Sequence, residues 1–185
     1  MRGHLDQPHR YAHTVRVARL ADRLAQAHGE DPARARLAGM LHDLARLYSA
    51  ERLVAECEAR HLPIDPFERR NPIVLHARLG AEIARESFGV DDTAVLQAIA
   101  RHTLAAPGMS ALDEIVYLAD GLEPGRDFDK RGAFEALAFE DLETAMRVVL
   151  GSSIAYLRSR NLDPAPQTLA ALAAYERLER SPLSA

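Results

Sequence analysis

Tryptophan is absent from the chain, aromatic residues make up only 5%, and a single cysteine, Cys57, is present. One thiol excludes an internal disulfide and suits a reducing compartment. Cys57 itself reads as a small residue of a helix. The shortage of aromatics, against a background dominated by Ala, Leu and Arg, argues against sheets and for helix. No uninterrupted apolar run approaches the roughly 18 residues needed to span a bilayer, and Met1-Arg-Gly-His-Leu-Asp-Gln-Pro8 carries no apolar leader stretch. Nor is there an excess of positive charge. A formal net charge of −4 excludes a global basic field that would attract a nucleic-acid duplex or an anionic membrane. The expectation is a cytoplasmic protein with neither among its partners.

What is present is enough for a core. At 185 residues and 48% hydrophobic, the chain suits one domain spanning 1–185. The apolar spacing is helical throughout, so the expected fold class is all-α, a single-domain helical bundle. Arg10 to His28 places Val17, Leu20, Ala21 and Leu24 on one face, with His13 one turn earlier. Gly29 stops that helix, and Asp31-Pro32 opens the next, which carries Leu37, Met40 and Leu41 before His42 and Asp43. Ser49 starts a third. Pro63 to Pro72 reads as a loop, a mobile or substrate-facing connection. Helices then carry His76, from Ile73 to the Gly89 signal, and His102, after Asp91-Asp92. Ser110-Ala-Leu-Asp113 has the form of a capping box for a helix that places Asp120 on the stripe of Leu112 and Val116. A catalytic core over about 8–130 is thereby set apart from C-terminal helices over about 134–180 (Phe139 to Arg158 and Thr168 to Leu178). Having no ligand-type cluster, these read as structural cover.

Six metal-competent side chains, His13, His42, Asp43, His76, His102 and Asp120, all fall on or beside apolar helix faces. An unpaired carboxylate in such a setting costs several kcal/mol or protonates, and a metal ion is one compensating partner. Imidazole and carboxylate donors without thiolate favour a borderline or hard divalent ion (iron, manganese, cobalt, nickel or magnesium) over a tetrahedral structural zinc. Such an ion acidifies water and holds phosphoryl oxygens, the outline of a hydrolase acting on phosphate. Arginines complete it: Arg10 precedes His13, Arg46 follows His42 by one turn, Arg126 follows Asp120, and Arg69-Arg70 precede His76. Guanidinium groups bind phosphate bidentately.

The order His13, His42-Asp43, Asp120 resembles the HD-domain metal-dependent phosphohydrolase superfamily, a helical fold. Three further stretches, His76-Ala-Arg-Leu-Gly80-Ala-Glu, His102-Thr103 with Pro107-Gly-Met-Ser110, and Tyr117-Leu-Ala-Asp120-Gly-Leu-Glu123-Pro-Gly-Arg126, are similar to the YqeK family of symmetrical diadenosine tetraphosphate hydrolases. The similarity runs from about Arg10 to Arg126. It implies that His13, His42, Asp43 and Asp120 hold an iron ion. It also implies that His76 and His102 line the phosphate side or serve a second ion, and that Arg126 lies near a phosphate or nucleotide. Catalysis would then rest on His42, Asp43, His76 and His102, with Arg10, Arg46, His76, His102 and Arg126 binding substrate.

Where many HD proteins carry lysine, this chain has Arg46, which titrates less readily and is better suited to clamping phosphate than to moving a proton. Glu123 reads more simply as a helix-end acid than as a partner of a ligand. The implied substrate is a dinucleoside polyphosphate and the product ADP, with a homodimer admitted. Two competitors stand beside this reading: an HD nucleotidase or phosphodiesterase on another nucleotide, and a non-catalytic metal-stabilised nucleotide-binding module.

Overall fold

Helices account for all the regular structure in the computed structural model, which describes residues 8–180. The chain runs α1 (Pro8–His28), α2 (Pro32–Leu41), α3 (Ala50–Ala59), α4 (Pro66–Arg70), a short 3₁₀ helix (Pro72–Leu75), α5 (His76–Phe88) and α6 (Thr93–Arg101). Then come α7 (Ala111–Leu122), α8 (Arg131–Glu140), α9 (Leu142–Ser159) and α10 (Pro166–Arg180). The all-α expectation holds.

Local signals set most boundaries. Asp31 accepts from the Ala33 and Arg34 N–H groups with Pro32 at the first helical position, and Ser49 and Asp92 cap α3 and α6. The Ser110–Asp113 capping box is present even with the shorter acid. Helix α7 forms the axis of the core. Its Ile115, Val116, Leu118, Ala119 and Leu122 are fully buried, and it packs against α1, α2, α6, α8 and α9. Burial of those side chains is the main force holding the site-bearing helices together. Helix α1 lies closest to α2, where a Cβ on Gly39 would stand 2.9 Å from the Ala18 Cα.

Three local expectations need correction. First, His42 and Asp43 are not inside a helix. Helix α2 ends at Leu41, and residues 42–47 form successive tight turns with Leu44 N–H donating to Leu41 C=O and Arg46 N–H to Asp43 C=O. Second, Pro63 to Pro72 is not simply loop, because Pro66 at the first position and a full Asp65–Glu68 capping box nucleate α4. Third, the polar stretch before Phe139 forms α8, and Asp141 separates it from α9 by capping the latter through the Thr144 N–H. At the end of α1, His28 Nε2 lies 2.7 Å from the Ala138 carbonyl oxygen and ties α1 to α8.

The C-terminal helices are anchored by polar contacts as well as packing. Tyr175 Oη donates to Glu114 Oε1 at 2.6 Å, and Thr168 Oγ1 donates to the Leu104 carbonyl at 2.8 Å.

Candidate metal centre

Five separate parts of the chain converge on one point. His13 comes from the interior of α1, His42 and Asp43 from the turn after α2, His76 from the start of α5, His102 from the end of α6, and Asp120 from α7. His13 Nε2 lies 3.1 Å from Asp120 Oδ1 and 3.8 Å from Asp43 Oδ2. His42 Nε2 lies 3.6 Å from Asp43 Oδ2 and 3.8 Å from Asp120 Oδ1. The other oxygen of Asp43 faces the remaining histidines, 3.4 Å from His76 Nε2 and 4.0 Å from His102 Nε2. Three overlapping triplets, His13–His42–Asp43, His42–His102–Asp120 and Asp43–His76–His102, each have their donor atoms within 4.8 Å of one another.

The hydrogen bonds behind the ligands set which nitrogen faces inward. His42 Nδ1 donates to the Gly39 carbonyl at 2.8 Å, His76 Nδ1 to Ile73 at 2.5 Å, and His102 Nδ1 to Ile99 at 2.7 Å. Gly39 and Ile99 lie in the last turns of α2 and α6, where carbonyls lack helical partners. His13 Nδ1 instead meets Glu123 Oε1 at 3.1 Å. With the proton held on Nδ1, all four Nε2 lone pairs point into the site, the arrangement metal-binding histidines require. His13 Nε2 and His42 Nε2 are buried and complete no hydrogen bond. His76 Nε2 and His102 Nε2 stand 3.2 Å apart with Thr103 Oγ1 3.2 and 3.1 Å from them, so one hydroxyl proton serves two acceptors.

Electrostatics point the same way. Burial would push the Asp43 carboxyl up, but His42, His76 and His102 hold it well below the usual range. Burial works likewise on Asp120, and His13, His42 and Arg126 outweigh it. Burial opposes a charge on His13, yet the Asp120 and Glu123 carboxylates beside it raise its pKa. His102 is pushed down to about 3 by burial and by the neighbouring imidazoles, so it stays a neutral acceptor. Two ionised carboxylates among Nε2 lone pairs make a cation site of nitrogen and oxygen donors, and Cys57 lies elsewhere, buried in α3. The residues present fit a divalent ion.

A cavity of about 290 Å³ opens beside this cluster. Arg10, Arg46 and Arg126 line it together with Thr103, Tyr117, Val149 and Ser153. Arg10 Nη1 donates to Asp43 Oδ2 at 3.2 Å and Arg126 Nη2 to Asp120 Oδ1 at 2.6 Å. Arg46 is half-buried, and burial together with the nearby Arg10 and Arg126 lowers its pKa. All three expected cavity arginines are therefore present. Arg69 and Arg70 are not among the lining residues: Arg69 pairs with Glu58 at 3.1 Å, and Arg70 lines a different groove with Phe67 and Arg158.

Several residues of the site have no role assigned from the sequence. Arg16 follows His13 by three positions and Tyr117 precedes Asp120 by three, so helical spacing already placed each beside a ligand. Ser153 and Val149, from the helix read as cover, line the cavity wall without any local signal.

The chain is similar to known proteins. The HD domain family matches residues 10–125. The symmetrical bis(5'-nucleosyl)-tetraphosphatase of Bacillus subtilis (strain 168) is 33% identical over 86% of this chain and 86% of its own length. The enzyme of the same name from Halalkalibacterium halodurans is 36% identical over 88% of this chain and 86% of its own. A crystal structure of a predicted HD superfamily hydrolase involved in NAD metabolism, from Clostridium acetobutylicum, superposes with a TM-score of 0.92 at 32% identity, covering 97% of this chain and 94% of that one. With the histidine and aspartate order, the converging geometry and these likenesses in agreement, the chain belongs to the HD-domain superfamily, in the family of the symmetrical bis(5'-nucleosyl)-tetraphosphatases.

Proposed function

We propose that the protein is a metal-dependent hydrolase that cleaves diadenosine tetraphosphate at its central bridge into two ADP. The observation that carries this reading is the convergence of four imidazole Nε2 atoms and two carboxylates on the floor of a cavity lined by three arginines. His13, His42, Asp43 and Asp120 would hold one ion. The second oxygen of Asp43, aimed at His76 and His102, supports a second ion held by those three residues. Imidazole and carboxylate donors without sulfur support iron, with manganese, cobalt, nickel or magnesium as substitutes. When bound, divalent ions supply Lewis-acid polarisation of phosphoryl oxygens and a water of lowered pKa.

The protein's own contribution is positioning and charge. Arg10, Arg46 and Arg126 can grip non-bridging phosphate oxygens, and Arg126 reaches the cavity from a backbone anchor on the Asp120 carbonyl. At about 290 Å³ the cavity is at the lower limit of small-molecule pockets, too small for both nucleosides of the substrate. It suits the polyphosphate, with nucleosides reaching its mouth past the exposed Ile73. Water oxygen joins one central phosphorus, and the bridging oxygen leaves with the other half as the second ADP. A diphosphate leaves as an anion, so neutralising its charge is what the arginines provide, more than a proton.

The buried free thiol of Cys57 supports a cytoplasmic setting. No helix among the described residues is long and apolar enough to cross a membrane. The exposed apolar side chains of Tyr156, Leu162 and Leu169 offer the surface a homodimer would use.

The test is to incubate the metal-loaded protein with diadenosine tetraphosphate and separate the products. ADP alone is expected. ATP with AMP would refute symmetric cleavage, and His42→Ala that kept metal and turnover would refute the site.

A further inference from the structure

Three of the four site histidines take their Nδ1 acceptor from a carbonyl three residues back, at a helix end or helix junction. His13 has no such carbonyl, because it sits inside α1, where the preceding carbonyls belong to the helical ladder. Its acceptor is brought from far along the chain. Glu123, only 2% exposed, ends α7 and places Oε1 3.1 Å from His13 Nδ1.

That carboxylate is itself held from the other side. Arg16, one turn after His13, donates through Nε to Oε2 and through Nη2 to Oε1 at 3.1 Å, and the Gly125 N–H donates to Oε2 at 2.6 Å. The Arg16 guanidinium lies so close over Gly125 that a Cβ there would stand 2.7 Å from Cζ and 2.8 Å from Nε. Two residues of the Glu123-Pro-Gly125-Arg126 turn therefore serve the first ligand of the chain, His13. The fourth serves the last, since Arg126 binds Asp120.

We propose that Glu123, clamped by Arg16 and Gly125, is a positioning residue that holds His13 as the Nδ1–H tautomer, aims its Nε2 at the metal, and thereby sets the affinity of the His13 site. The inference rests on the metal-centre reading above, but not on the identity of the substrate. Residues that orient a metal-bound histidine in this way commonly contribute 10–100-fold to metal affinity.

The experiment measures manganese and iron(II) affinity by chelator competition in the wild-type protein, Glu123→Gln and Gly125→Ala. In parallel, nitrogen NMR of metal-free protein at alkaline pH reads the His13 tautomer. Glu123→Gln keeps shape but loses the charge that binds Arg16; it is expected to weaken metal binding 10–100-fold and to admit the Nε2–H tautomer. Gly125→Ala leaves the carboxylate in place and displaces only the guanidinium, so a smaller shift of the same sign is expected. It decides the matter if Glu123→Gln does not fold. Affinity and tautomer unchanged in a folded variant, with only a lower melting temperature, would show Glu123 to be a structural helix-end acid and overturn the proposal. A wild-type chain that bound no metal would overturn both this and the centre itself. Because neither readout involves nucleotide, a failure of diadenosine tetraphosphate cleavage is read separately.

Discussion

At the scale of single residues, the centre depends on which atom each side chain turns inward. A histidine with its proton on Nε2 would present a donor where a lone pair is needed, so the Nδ1 acceptors matter as much as the ligands. Arginine chemistry is equally specific. Arg46 sits half-buried beside Arg10, and a planar fork there can hold two phosphate oxygens at once. Arg46→Lys keeps the charge and loses the fork. Steady-state kinetics should show KM for the tetraphosphate raised about tenfold with a smaller change in kcat, since a charge-assisted hydrogen bond contributes roughly 1.5–3 kcal/mol. An unchanged KM would remove Arg46 from the phosphate site.

At the scale of elements, two contacts set how the helices meet. Helices α1 and α2 approach so closely at Gly39 that a methyl group would meet backbone, with Ala18 Cα at 2.9 Å and Ala18 N at 3.2 Å. Gly39→Ala is expected to cost about 2 kcal/mol in denaturant unfolding despite its better helix propensity. Because the Gly39 carbonyl also holds His42, metal affinity should fall with it.

Helices α7 and α10 meet at Glu114 and Tyr175. Burial pushes the Glu114 carboxyl up to about 7, and the neighbouring Glu143, Asp113 and Asp141 add to this against the Tyr175 hydrogen bond. In the unfolded chain the group titrates near its ordinary 4.5. Between those values the unfolded state releases a proton that the folded state keeps, so stability declines as pH rises through the window and is level above it. Glu114→Gln should remove that decline, leaving the variant more stable than the parent at pH 8 by on the order of 3 kcal/mol and equal to it below pH 4. Unfolding curves across that range check this, and an unaltered slope would remove Glu114 as its source.

At the scale of the whole molecule, the metal centre is a tertiary fastener, because its six ligand residues come from five separate parts of the chain. A ligand that binds only the folded state raises stability by about 2.7 kcal/mol at a hundredfold excess over its Kd. Chelation should therefore lower Tm while leaving helical circular dichroism intact at 25 °C, and added iron or manganese should restore it. A Tm indifferent to metal would contradict a centre built from these residues. The features legible before folding are local or periodic. Helix class, most caps, the apolar faces, and the presence of His13, His42, Asp43, His76, His102 and Asp120 on or beside them all follow from spacing within a few turns. Even the missed α4 had its Asp65–Glu68 box and Pro66 in plain view. Long-range packing sets the rest: the two oxygens of Asp43 face different histidines, Arg69 joins Glu58 instead of the site, and Val149 and Ser153 of the covering helix form a cavity wall. The same holds for Glu123, which spacing placed beside Asp120 but whose partner, His13, lies 110 residues away. The physical reason is that periodicity specifies which face of a helix turns inward, whereas the atom it meets depends on how distant helices pack.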